Sequence, residues 1–148
     1  MSFDPETFLD ATFSESNATT FEPIPPGEYP AVIDDIKFSN GVSKDGNSWS
    51  RIEVKWVLED EALKERLGRK VISSRQNIML DFLESGGLDM GKGRNINLGR
   101  LREAVDLNRP GEAFSFRMLT GRRAKVKVEA DEYQGVVRDK ITAVARLS

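Results

Sequence analysis

The sequence predicts a mainly β domain of five strands with one helix between the third and the fourth. Several stretches alternate apolar and polar side chains with period two, as half-buried strands do. Clusters of Gly, Pro, Asn, Asp and Ser punctuate them. Only one longer segment, after a Gly-rich loop, spaces its apolar residues as a helix would. The 148 residues and 39% hydrophobic content suit one domain with one modest core.

Residues 1–26 mix Ser, Thr, Asp and Glu with Phe3, Phe8, Phe13 and Phe21 and end in Pro23, Pro25 and Pro26. They predict an acidic, flexible N-terminal segment ahead of a folded domain at 27–148. Pro25-Pro26-Gly27 is a stiff turn launching strand one, about 28–38. Residues 39–48 are rich in turn formers and read as a linker. Strand two, about 49–58, sets Ile52, Val54, Trp56 and Leu58 on one face and Arg51, Glu53 and Lys55 on the other. Residues 59–67 suggest a short helical excursion whose acidic start suits the helix dipole. Strand three, about 70–80, sets Arg75 and Asn77 against Ile72, Ile78 and Leu80.

A Gly-rich loop at 86–93 precedes a helix capped by Asn97, with Leu98, Leu101 and Val105 on one face, and residues 108–111 end it. Strand four, about 122–130, points Ala124, Val126, Val128 and Ala130 inward and Arg123, Lys125, Lys127 and Glu129 outward. A turn at 131–135 leads to strand five, about 136–147. There Val137, Ile141, Ala143, Ala145 and Leu147 share the inner face, opposite Arg138, Lys140 and Arg146. Five alternating strands with one helix between strands three and four are the layout of an OB-fold barrel, closed or partly open.

Charge divides the chain. Residues 1–36 hold eight acidic side chains and no Lys or Arg, whereas the remainder sets 22 basic side chains against 16 acidic ones, a net +6. An acidic leader on a basic body predicts a protein that handles a polyanion. With no Cys and no His, disulfides, thiolate metal sites and the commonest general base are excluded. No apolar run approaches the ~18 residues of a membrane helix, and no secretory signal is visible. These absences predict a cytoplasmic, non-enzymatic protein without metal or cofactor.

Single-strand binders need cations along the phosphates and flat rings under the bases. OB-folds bind oligonucleotides across strands two and three and through the loops joining strands one to two and four to five. Arg51, Lys55, Arg75 and Asn77 lie on that face, Lys44 and Trp49 in or beside the first loop, Tyr133 in the second, and Phe38 at the end of strand one. Trp56 has core parity. Trp49 has the opposite parity and is the stacking candidate, the alternative being a lid over one barrel end. Arg123, Lys125 and Lys127 form a comb at ~6.6 Å spacing that could follow phosphates or protect a sheet edge. Arg138 and Lys140 join the same outward set. Gly86 to Gly93 fits G-x-x-x-x-G-K, yet Gly93 stands where magnesium binding needs Ser or Thr, so a plain or mobile loop is expected. Asp34 and Asp35 point to opposite strand faces and cannot easily share an ion.

The chain resembles a family of bacteriophage single-stranded DNA-binding proteins of OB-fold type. The resemblance spans about residues 25–145. It rests on Pro25-Pro26-Gly27-Glu28-Tyr29, Lys44-Asp45-Gly46, Gly68-Arg69-Lys70, Ile96-Asn97-Leu98-Gly99-Arg100-Leu101, Leu119-Thr120-Gly121 and Tyr133-Gln134-Gly135 followed by Arg138-Asp139-Lys140-Ile141. Asp139 stands where that pattern usually has Asn. The resemblance implies phage replication or recombination, in a host cytoplasm, with partner proteins that the acidic N-terminal segment could engage. The expected function is single-stranded DNA binding with little sequence preference, with a dimer expected from so short a binding track. The alternative is a non-catalytic interaction or structural module, such as a virion component or host-enzyme inhibitor.

Overall fold

The computed structural model describes residues 3–19 and 22–147. Phe21, counted among the leader's aromatics, lies outside them. Five strands, β1 (Gly27–Val42), β2 (Ser48–Leu58), β3 (Ser73–Met79), β4 (Arg123–Tyr133) and β5 (Val136–Ala145), form one antiparallel sheet in the order β3-β2-β1-β4-β5. Three helices accompany it: α1 (Pro5–Asp10), α2 (Glu61–Leu67) and α3 (Ile96–Ala104), with a 3-10 turn at Phe116–Leu119 that the sequence pattern did not announce.

The long first strand organises the sheet. Its residues 27–32 pair with β4 and its residues 31–42 with β2. Strand β1 runs four residues beyond its expected end, and the linker shrinks to a turn in which Ser43 N donates to Asn47 O at 2.8 Å. The Ser43 hydroxyl donates to Asp45 and holds that carboxyl below its ordinary range. A bulge at Asp34 shifts the register from Ile33↔Trp56 to Asp35↔Lys55.

Alternation in β2 emerges as expected: Ile52, Val54, Trp56 and Leu58 are buried. Trp56 is fully buried, and its indole N–H donates to Gln76 Oε1 at 3.0 Å, which satisfies two polar groups inside the core. Helix α2 takes Asp60 as its cap, the carboxylate accepting from Leu63 N at 3.0 Å, and stops at left-handed Gly68.

Four expectations are corrected. Asn97 does not cap α3. Asn95 holds that position in a left-handed conformation (φ 52°), and its side chain ties the preceding loop by donating to the carbonyls of Asp81 and Asp89 and accepting from Asp81 N. The β4–β5 connection is the two-residue turn Gln134-Gly135, with φ 52° and 78°, as the type I′ hairpin geometry requires. Ala130 is exposed because the hairpin projects beyond the core at this level. In β5 the register moves from Lys127↔Ala143 to Val128↔Ile141, so one extra residue flips the parity. Ile141 is buried and Val144 packs against the core, while Ala143, Ala145 and Leu147 face solvent.

The sheet does not close into a hydrogen-bonded barrel. Edge strands β3 and β5 meet through a side-chain contact instead, Ser74 Oγ donating to Asp139 Oδ1 at 2.8 Å. Helix α3 lies over the remaining slot of about 120 Å³, where Leu101 meets Ile78, Ile141 and Val144. The other Asp139 oxygen accepts from Ile24 N at 2.9 Å. Ile24 is 1% exposed, so the core begins before residue 27 and recruits the end of the leader. Arg69 donates to the Glu22 carbonyl and Tyr29 Oη to that of Pro25, which fasten the same segment.

Trp56→Ala should cost about 3–5 kcal/mol in urea unfolding. Asp139→Ala should cost about 1–3 kcal/mol, because it strands the Ile24 N–H and the Ser74 hydroxyl together. An unchanged midpoint for either variant would remove these contacts from the stability of the fold.

Candidate nucleic-acid interface

Strand alternation puts Trp49, Arg51, Glu53 and Lys55 on the outer face, opposite the buried side chains of β2. The ladders place Gly41, Ser39, Lys37 and Asp35 of β1 beside them in that order, and Met79, Asn77 and Arg75 of β3 beside Arg51, Glu53 and Lys55. Strand β1 carries the same face over to β4, because Val32 stands opposite both Val57 and Arg123. Below it Lys125 faces Pro30 and Lys127 faces Glu28. The outer face therefore runs Trp49, Arg51, Lys55 with Arg75, then Arg123, Lys125 and Lys127. At ~3.3 Å per residue of β1 the row spans roughly 40 Å. Arg138, Lys140 and Tyr133 continue it along the projecting hairpin, at the levels of Asp131, Glu129 and Val136.

Carboxylates accompany nearly every cation of the row. Arg51 lies 3.0 Å from Glu53 Oε1 and Arg75 3.9 Å from Glu53 Oε2, so one carboxylate stands between two guanidinium groups. Lys55 pairs with Asp34 at 3.4 Å, Arg123 with Glu59 at 2.8 Å and Lys125 with Glu28 at 3.4 Å. Lys127 pairs with Glu129 at 3.2 Å and Lys140 with Asp131 at 3.6 Å. Such exposed pairs are worth about 0–1 kcal/mol and yield readily to a competing anion. Glu53 differs, since its side chain is 16% exposed. The sequence pattern places Glu53 outward between Arg51 and Lys55 but does not show that it bridges Arg51 and Arg75.

The Glu129 carboxyl is held below its ordinary range by hydrogen bonds from Lys127 and then Thr142. Its pair therefore persists through mild acid. The small contribution to stability is present above the unfolded-state pKa and fades as pH falls through the depressed folded value.

The aromatic side chains divide between faces. Trp49 lies across Gly41, where an added Cβ would come within 2.7 Å of the indole, and Arg51 sits 5.0 Å from the ring centroid. Only glycine allows the ring to lie this flat on β1. Tyr133 is exposed at the hairpin tip with Arg138 at 5.7 Å. Lys44 is exposed in the β1–β2 turn. Phe38 pairs with inward-facing Ile52, so it shares the inner face of the ribbon and not the face of Trp49. It lines a cleft of about 430 Å³ with Ile36, Ile52, Leu80, Phe82, Leu88 and Phe116. One surface thus collects Trp49, Arg51, Lys55, Arg75, Arg123, Lys125, Lys127, Tyr133, Arg138 and Lys140, while Phe38 stands behind it and Lys44 at its end.

Leader residues from Phe3 to Asn17 are exposed and stand off this surface. Among the described residues no three Asp or Glu side chains converge as a metal site, and no helix is long and apolar enough to cross a membrane. No family model and no curated protein sequence matches the chain.

The two tryptophans should separate cleanly in acrylamide quenching. With Trp56→Phe, the remaining Trp49 should emit to the red and quench readily. With Trp49→Phe, the buried Trp56 should emit to the blue and quench several-fold less. Equal accessibility would contradict the assignment of faces.

Proposed function

We propose that this chain binds single-stranded DNA, with little sequence preference and without catalysis, along the outer face of the sheet. The observation that carries this is the row of cations between Trp49 and Tyr133, most of them held by exposed carboxylates. Phosphates of one strand can exchange with the carboxylates now paired to Arg51, Lys55, Arg75, Arg123, Lys125 and Lys127. Bases can stack on Trp49 at one end and on Tyr133 at the other, contacts worth about 1–3 kcal/mol per base.

The fold reading supports it. Strand order β3-β2-β1-β4-β5, with β3 and β5 drawn together by Asp139 and a helix over the gap, is what a partly open OB barrel would present. The resemblance to phage single-strand binders extends the proposal to a role in phage replication or recombination within the host cytoplasm. The five acids ahead of Gly27 (Asp4, Glu6, Asp10, Glu15 and Glu22) would then act as a solvated competitor of DNA or as a hook for partner proteins.

A second reading, a protein-interaction module, draws on a different observation: the apolar cleft around Phe38 and Phe82, both of which are exposed. The two readings separate by salt. Anisotropy of labelled oligo-dT should report binding whose log affinity falls against log salt with a slope near −4, about −0.7 for each of six phosphates. The double variant Arg51→Ala with Lys55→Ala should flatten that slope by about 1.4. Glu53→Gln, which releases Arg51 and Arg75, should tighten binding by up to about five-fold, the equivalent of one exposed ion pair. Absence of binding at about 50 mM salt would overturn the DNA reading.

A further inference from the structure

Among the described residues, two apolar features left in water can complement each other. One is the cleft on the inner face of the β1–β2 ribbon, where Phe38 is 53% and Phe82 43% exposed. The other is the leader, in which Phe3, Phe8, Leu9 and Phe13 are 63–81% exposed. The leader is nonetheless locally built. Asp4 caps α1, its carboxylate accepting from Glu6 N at 3.1 Å and from the Thr7 hydroxyl at 2.8 Å. The Thr7 bond holds the Asp4 carboxyl below its ordinary range. Phe3 and Phe8 pack ring to ring at 5.3 Å. A short capped helix that shows its aromatic side chains to solvent has the form of a ligand for an apolar groove.

We propose that the leader of one copy seats its Phe side chains in the Phe38–Phe82 cleft of a second copy. Charge favours the encounter. Ahead of Gly27 the leader carries Asp4, Glu6, Asp10, Glu15 and Glu22 without a basic residue, and the rest of the chain sets 22 basic against 19 acidic side chains, a net +3. Exposed Arg117 lies at the cleft rim to receive a leader carboxylate, with Asp35 on the cleft as the one opposing charge. Polarity selects the site, because the cleft offers Ile36, Leu80, Phe82, Leu88 and Phe116 to incoming rings. The chain on its own leaves both surfaces unfilled, with Phe3 on Phe8 instead of on the body. Reciprocal exchange between two copies fills both clefts at once through one two-fold contact. This inference is independent of DNA binding.

The test is sedimentation of the full chain over a micromolar concentration series. Wild type should show a concentration-dependent dimer. Phe8→Ser with Phe13→Ser should weaken dimerisation at least ten-fold, and Phe82→Glu should do the same. Because Phe8 and Phe13 are exposed and lie outside the core, the leader variant should melt at the wild-type temperature; if Phe82→Glu fails to fold, Phe82→Ser replaces it. Mixing the leader variant with the cleft variant should restore association, weaker than in wild type, since one intact leader still meets one intact cleft. A wild type that stays monomeric, a dimer indifferent to the leader variant, or a mixture that does not associate would overturn the proposal. A monomer in which only the leader variant takes up an apolar dye would assign the cleft to the chain's own leader and overturn exchange between copies.

Discussion

The Asp139 carboxylate joins three parts of the chain that no backbone ladder connects. One oxygen accepts from Ser74 of β3 and the other from the backbone of Ile24, while Asp139 itself belongs to β5. A five-stranded open sheet has two edges, and each would otherwise offer unpaired amides and carbonyls to solvent. Here the edges are drawn together, α3 is laid over the gap, and Ile24 enters the core beside them. A carboxylate suits this position because it only accepts, and both of its partners donate.

The outer face then resolves the charge division of the chain. Its cations do not repel one another unchecked, because Glu28, Asp34, Glu53, Glu59 and Glu129 stand among them. These pairs are exposed, so they cost little to exchange for phosphates. Glu53, more enclosed, accepts a hydrogen bond from Arg51 and lies near Arg75, and under the proposed function it would temper their affinity for anions. Trp49 is held close against Gly41, so under the proposed function its ring would need no reordering to receive a base.

Much of this was legible in period-two alternation. Parity alone separated Trp56, buried and hydrogen-bonded to Gln76, from Trp49 on the outer face. It also put Arg51, Lys55, Arg75 and the β4 comb on one side. What parity could not reveal is where a strand gains a residue. The bulges near Asp34 and Thr142 leave no compositional mark, and the second moved Ala143 and Ala145 outward and Val144 inward. Phe38 shows a related limit: its position near the end of strand one does not say that it shares the inner face with Ile52 and not the face of Trp49. Ile24 was hidden because its neighbours are prolines and acids, although its own burial decides where the domain begins. Asn95 and Asn97 are equally good caps on paper. The links from Asn95 to Asp81 and Asp89 select between them, and such tertiary contacts are not local in sequence.

The central claim is that a single strand lies on the face that carries Trp49. A variant in which Trp56→Phe leaves Trp49 as the sole indole reads that face directly. Saturable quenching of its emission by oligo-dT, reversed by salt in parallel with dissociation, is the result expected. Binding that anisotropy detects while Trp49 emission stays constant would place the strand elsewhere on the molecule and contradict the account.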